Sequence, residues 1–166
     1  MAVWQFVIDF VPEQFLLDTY GHVPETMLLE HRKQEAYFRN SSFNVEEIRP
    51  YLQAFGTIDT NSWSGTLFCR GEADHDAFIY FDEGTGLLRD VYCRIDMRQP
   101  DERFVFGIVT LATAFNCHLM SRGTRQIFEP VVSQLLQAMQ QSNAYRFVID
   151  PQKFLDGFSK GNLSGY

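Results

Sequence analysis

The stretch from Leu88 to Arg98 alternates along its length, and no other feature constrains the fold as tightly. Val91, Cys93, Ile95 and Met97 fall on one side; Asp90, Tyr92, Arg94, Asp96 and Arg98 fall on the other. Side chains in a strand change face at every residue, so this is a strand of a sheet with one buried and one wet face. Asp76 to Asp82 carries the same period, with Ala77, Ile79 and Phe81 apolar and Asp76, Phe78, Tyr80 and Asp82 opposite. Glu83-Gly84-Thr85-Gly86 forms the turn between them. Opposed hairpin residues share a face, so the apolar sides match only when even numbers oppose even numbers. That register needs an odd loop, Glu83 to Thr85 or Glu83 to Leu87. It gathers Phe78, Tyr80, Tyr92, Arg94 and Asp96 on one wet face, unless a loop or the segment Pro24 to Phe38 covers them. Arg94, Asp96 and Arg98 are expected to form exposed ion pairs there.

The rest of the chain supplies more strands and the helices that bury the apolar side. Val3 to Val11 reads as a strand, central if both its faces are covered. Pro12 opens a short helix through Phe15-Leu16-Leu17, broken at Gly21. Pro24 to Phe38 reads as a polar surface helix. Asn44 with Glu47 makes a capping box for the next helix, which Pro50 is expected to kink or end. Gly56 to Gly65 reads as a polar loop around Trp63, and Thr66 to Arg70 as a short strand. Asp101 and Glu102 open a helix whose Phe104, Val105, Ile108, Leu111, Ala112 and Phe115 repeat at helical spacing. Cys117 to Ser121 reads as a strand, Phe128 to Ser142 as a second amphipathic helix and Tyr145 to Ile149 as a final strand. A short helix starts at Asp150-Pro151. The expected architecture is α+β, a mainly antiparallel sheet with amphipathic helices on one face, forming a single domain over 1–158 with a fraying tail at 159–166.

The charge is uneven. The net charge is -7, but residues up to Glu83 hold fourteen acids against five bases, and the remainder seven against nine. An acidic first half disfavours direct contact with nucleic acid, which needs a basic footprint, and suits a basic protein partner. No apolar run reaches the roughly 18 residues of a membrane helix. Met1 to Phe10 lacks a basic start and carries Asp9, so neither a membrane nor a secretory role is expected, and the cytoplasm is the expected compartment.

Catalytic and metal signatures are missing from the sequence. It holds no P-loop, GxGxxG, GxSxG or HExxH pattern, and its three cysteines, Cys69, Cys93 and Cys117, are widely spaced among apolar residues. They read as buried thiols in a reducing compartment. Asp74-His75-Asp76 groups three metal-ligand types, but neighbours in a turn point in different directions, so a solvated acidic turn is the simpler reading. No catalytic residue, metal or cofactor is assigned.

Val91-Tyr92-Cys93-Arg94-Ile95-Asp96-Met97-Arg98, then Asn116-Cys117-His118-Leu119, Ser142-Asn143-Ala144-Tyr145-Arg146-Phe147 and Asp150-Pro151-Gln152-Lys153-Phe154-Leu155, give the C-terminal half a family texture. It resembles the small bacterial immunity proteins found beside polymorphic toxins. The resemblance implies a cytoplasmic, non-enzymatic chain that neutralises a cognate toxin, a nuclease being one candidate, and it carries no site residues. The residues expected to touch a basic partner are Trp63, Glu72, Asp74, Asp76, Phe78, Tyr80, Asp82, Glu83, Tyr92 and Arg94. Trp63 reads either as a core anchor or as a contact hot spot. Two other readings stay open: a small enzyme with a carboxylate and Arg site, and a structural or adaptor subunit, self-association included.

Overall fold

The computed structural model describes residues 2–28, 37–59 and 63–159. Seven antiparallel strands form one sheet, in the order β2-β3-β4-β5-β1-β6-β7. They are β1 (Gln5–Pro12), β2 (Thr57–Asp59), β3 (Thr66–Arg70), β4 (Asp76–Phe81), β5 (Leu88–Asp96), β6 (Cys117–Ser121) and β7 (Ile127–Phe128). The helices are α1 (Glu13–Tyr20), α2 (Val45–Phe55), α3 (Glu102–Ala114), α4 (Val132–Gln141), α5 (Asn143–Ile149) and α6 (Pro151–Ser159). The fold is α+β.

β1 is central, between β5 and β6, and is buried from Phe6 to Pro12. Phe6 and Ile8 lie opposite Ile95 and Cys93, and Phe10 opposite Leu119, so one face is a continuous apolar floor. β3 and β4 extend that floor with Leu67, Cys69, Ala77 and Ile79. α2 and α3 lie over it. Cys69 Sγ donates to the Leu52 carbonyl at 3.6 Å, and Phe55 meets Phe104 edge-on with ring centroids 5.1 Å apart. The two helices approach so closely at Gly107 that a Cβ there would sit 2.1 Å from the Phe55 ring.

The hairpin register holds over its body: Asp76, Phe78 and Tyr80 oppose Arg94, Tyr92 and Asp90. A bulge after Tyr80 then sets Phe81 against Leu88, shifting the parity only next to the turn. The capping box at Asn44 forms as expected, with Glu46 N–H on Asn44 Oδ1 at 3.0 Å and Asn44 N–H on Glu47 Oε1 at 2.9 Å. Asp101 caps α3, and β3 and β6 have the expected bounds.

Several expectations are corrected. α2 runs through Pro50 to Phe55, because Val45, Ile48, Leu52 and Phe55 bury one stripe of it and offset an interior proline's cost of about 3 kcal/mol. The supposed loop after Gly56 contains β2, held by pairing with β3. Within the expected helix Pro24 to Phe38, the described stretch Pro24–Leu28 is extended instead. It adds to the sheet margin through the Thr26–Gln126 bridge, with Ile127 N–H on Glu25 O at 2.8 Å. Residues 29–36 lie outside the described residues. Phe128 belongs to β7, and the second amphipathic helix starts only at Val132, beyond Pro130. Tyr145 to Ile149 is helical, because Ser142 Oγ accepts from Tyr145 N–H at 3.1 Å and caps α5, overriding the local β-propensity. Most of the expected tail, 160–166, lies outside the described residues.

Candidate protein-interaction surface

The face of the sheet opposite α2 and α3 carries the polar residues of the hairpin. Over β1 and β6 it is closed: Val7, Asp9, Val11 and Met120 are buried. Over β3, β4 and β5 it is half-open, and there aromatic rings run across the strands. Phe68 on β3 packs on Phe78 of β4 at 4.7 Å between centroids, and Phe78 stacks on Tyr92 of β5 at 4.8 Å. Tyr80 reaches Tyr92 from the other side at 6.1 Å. These are cross-strand neighbours on one face, so the register alone brings them together.

Phe68, Phe78 and Tyr92 each also carry a guanidinium, and each guanidinium a carboxylate. Arg94 lies 4.6 Å over Phe78 and its Nε donates to Asp76 Oδ1 at 2.6 Å. Arg122 lies 4.2 Å over Tyr92, and its Nε donates to both oxygens of Asp9 at 3.0 Å. Arg70 covers Phe68 at 5.1 Å and pairs with Asp59 at 3.7 Å. At the sheet end, Arg98 covers Trp4 at 4.4 Å and bonds both Asp96 and Asp74. The result is a rigid, nearly neutral lattice of rings and ion pairs.

This lattice changes the meaning of several predicted residues. Asp76 is buried and held by Arg94, and burial raises its carboxyl above the ordinary range against the pull of that guanidinium. Asp96 is only 1% exposed, so the expected row of exposed pairs is in fact partly buried; the Arg98 hydrogen bonds hold its carboxyl below the usual range. Phe78, Tyr80, Tyr92 and Arg94 are half-buried in the lattice. Glu72 and Asp74 are exposed at the turn between β3 and β4.

The predicted residues therefore divide between two ends of β4, about 20 Å apart at ordinary strand rise. Glu72 and Asp74 lie at one end, and Asp82, Glu83 and Trp63 at the other. The second group forms a small unit. Phe81 N–H donates to Gly65 O at 2.9 Å, Thr66 N–H to Trp63 O at 2.9 Å, and Ser64 bonds Glu83. Trp63 is 80% exposed and is no core anchor. Beside it an open cavity of about 510 Å³ is lined by Ser64, Thr66, Tyr80, Asp82, Glu83 and Arg89. Asp82 folds the turn around itself, accepting from Thr85 N–H at 3.0 Å and from Arg89; the Arg89 bond chiefly lowers its carboxyl's affinity for a proton.

Residue-type spacing did not pick out Asp9 and Arg122 as the neighbours of Asp90. Asp90 stands half-buried on the same face as Asp9, and its carboxyl rises to about 7, first through burial and then through the Asp9 charge, with Arg122 opposing. The available signal was Asp9 itself, one charge in a run of apolar residues that needs a cation wherever it is buried. His75 is a structural clasp. Its Nδ1 accepts from Asp96 N–H at 3.0 Å, so its Nε2 carries the proton donated to Gln99 O at 2.8 Å. Among the described residues no group of three His, Cys, Asp or Glu side chains is arranged to hold a metal, and all three cysteines are buried and free. Burial lifts the Cys69 thiol to about 11 and the Cys93 and Cys117 thiols well above their usual range, which makes poor nucleophiles of them. No helix among the described residues is long and apolar enough to cross a membrane. No protein-family model, curated protein or solved structure matches this chain.

Proposed function

We propose that this chain is a non-catalytic protein-binding protein, in its most concrete form an immunity protein that neutralises a bacterial toxin of basic surface. The turn end of the sheet is the docking edge. The observation that carries this reading is Trp63, 80% exposed and next to Ser64, which bonds Glu83. An exposed indole costs solubility and is typical of a contact hot spot, and the surrounding carboxylates would steer a cationic partner. The resemblance of the C-terminal half supplies the toxin as the kind of partner.

The test is a pull-down with tagged chain from the cells that encode it, run beside Trp63→Ala. Near-equal recovery of a toxin domain with the native chain, at least about ten-fold less with Trp63→Ala, and relief of that domain's toxicity on co-expression are expected. Equal recovery by both, or undiminished toxicity, overturns the reading. A small enzyme is the second reading, supported by Asp90 titrating near 7 beside Asp9 and Arg122, two carboxylates held in different environments. Mass spectrometry of the natively purified chain tests it; a co-purifying metabolite lost in Asp90→Asn would favour it.

A further inference from the structure

Far along the chain from Trp63, a groove of about 530 Å³ is framed by α4, α5 and α6. Tyr145, Ile149 and Phe154 give it an apolar lining, and Gly157 lines it without a side chain. Ile149, at the end of α5, is 65% exposed. A glycine inside a helix costs about 1 kcal/mol relative to alanine, and here it leaves the groove open. The rim holds Arg146 and Lys153, and Asp150 lines it as well. Neither side chain has an ion-pair partner among the described residues. The nearby acid, Asp150, is turned to its own helix, accepting from Lys153 N–H at 3.0 Å. In a chain of net charge -7, this rim carries two cations against one carboxylate.

We infer that this groove binds a free, single-headed apolar carboxylate, with the chain laid along Tyr145, Ile149 and Phe154 and the head between Arg146 and Lys153. Three properties support that ligand class. The volume is that of a small-molecule site and too small for a long partner helix. The lining is apolar with few polar groups. The rim's two cations outnumber its one carboxylate, which already accepts from the Lys153 N–H, and that balance selects an anion over a neutral or cationic amphiphile.

The test is calorimetric titration of the full chain with sodium decanoate below its micelle concentration, beside decanol and decyltrimethylammonium, which share the tail. Saturable one-to-one binding of decanoate, at least about ten-fold tighter than either control, is expected. Joint Arg146→Gln and Lys153→Gln should remove that preference while leaving the circular dichroism unchanged, and Ile149→Asp should abolish binding. Equal affinity for the three probes, no binding of decanoate, or binding that survives Ile149→Asp overturns the assignment. So does sedimentation of the chain with anionic phosphatidylglycerol vesicles in the absence of decanoate binding, which would make the groove a membrane contact.

Discussion

Replacing Asp90 with asparagine should make the protein more stable at pH 8 and change it little at pH 4. An aspartate in an unfolded chain titrates near 3.9, whereas burial and the Asp9 charge bring Asp90 to about 7 in the fold. The folded state therefore holds this proton more tightly. As pH rises through the interval between those values, the unfolded chain releases the proton first, and the fold loses about 1.4 kcal/mol per pH unit. The loss reaches about 4 kcal/mol once the pH passes 7 and then stays constant. The groups that face this carboxyl among the described residues are Asp9 of β1, Tyr80 of β4, Tyr92 of its own strand and Arg122 after β6. Of these only Arg122 favours the charged form, helped by the hydrogen bond from the Val91 N–H. In Asp90→Asn the amide keeps an oxygen for the Val91 N–H, which Asp90 now accepts at 3.0 Å, and it never acquires the charge.

Urea unfolding of both proteins from pH 4 to pH 8 measures the effect. The difference in stability should open from near zero at pH 4, grow through pH 5 and 6 in favour of the Asp90→Asn variant, and level above pH 7. The slope m should stay unchanged, since the exposed surface is the same. A difference that is constant with pH would refute the argument, because it would mean that Asp90 titrates alike in both states. So would a variant less stable than the native chain at pH 8, which would show that the Arg122 attraction outweighs burial and Asp9.

Two further substitutions probe the packing and the lattice. Gly107→Ala should lower stability by about 1–3 kcal/mol in thermal or urea unfolding, since the new Cβ would fall 2.1 Å from the Phe55 ring where α2 and α3 touch; this outweighs alanine's better helix propensity. Asp76→Ala should cost about 2–3 kcal/mol at pH 7, less than a fully buried broken pair because Arg94 keeps partial access to water, while Asp82→Ala at the exposed turn should change stability far less. Equal effects of the two would show that burial does not distinguish these pairs.

The parts of the fold legible in the sequence are those whose cause is local. β4 and β5 announce themselves by alternation, α3 by its apolar period and α2 by the Asn44–Glu47 box; each signal lies within a dozen residues. The misread parts owe their form to a distant partner. β2 and β7 are three and two residues long, too short for any period, and exist because β3 and β6 offer edges to pair with. Pro24–Leu28 is extended because Arg125 and Ile127 bind its backbone, with Met27 N–H on Arg125 O at 3.0 Å. Tyr145–Ile149 shows the reverse, a strand-like composition turned helical by one serine cap and the packing of α5 on β1.

The surface was harder to read for a related reason. Counting charges along the chain makes the first half acidic, and so suggests a strongly negative face. In space, arginines of the second half fold back onto those acids: Arg94 onto Asp76, Arg98 onto Asp74, Arg89 onto Asp82, and Arg122 across 113 residues onto Asp9. A sheet that sets β5 beside β4, and β6 beside β1, brings these pairs together. Four of the fourteen first-half acids are thus met by second-half arginines, so part of the sequence asymmetry is cancelled across strands. Along β4, what remains available to a partner is Glu72 at one end, and Trp63 with Glu83 at the other. A partner steered by the whole first half would respond to charge reversal anywhere in it. One that docks on the turn end would respond at Trp63 and Glu83 and be indifferent at Glu72, and the structure favours the second pattern because only that end joins exposed charge to exposed aromatic surface.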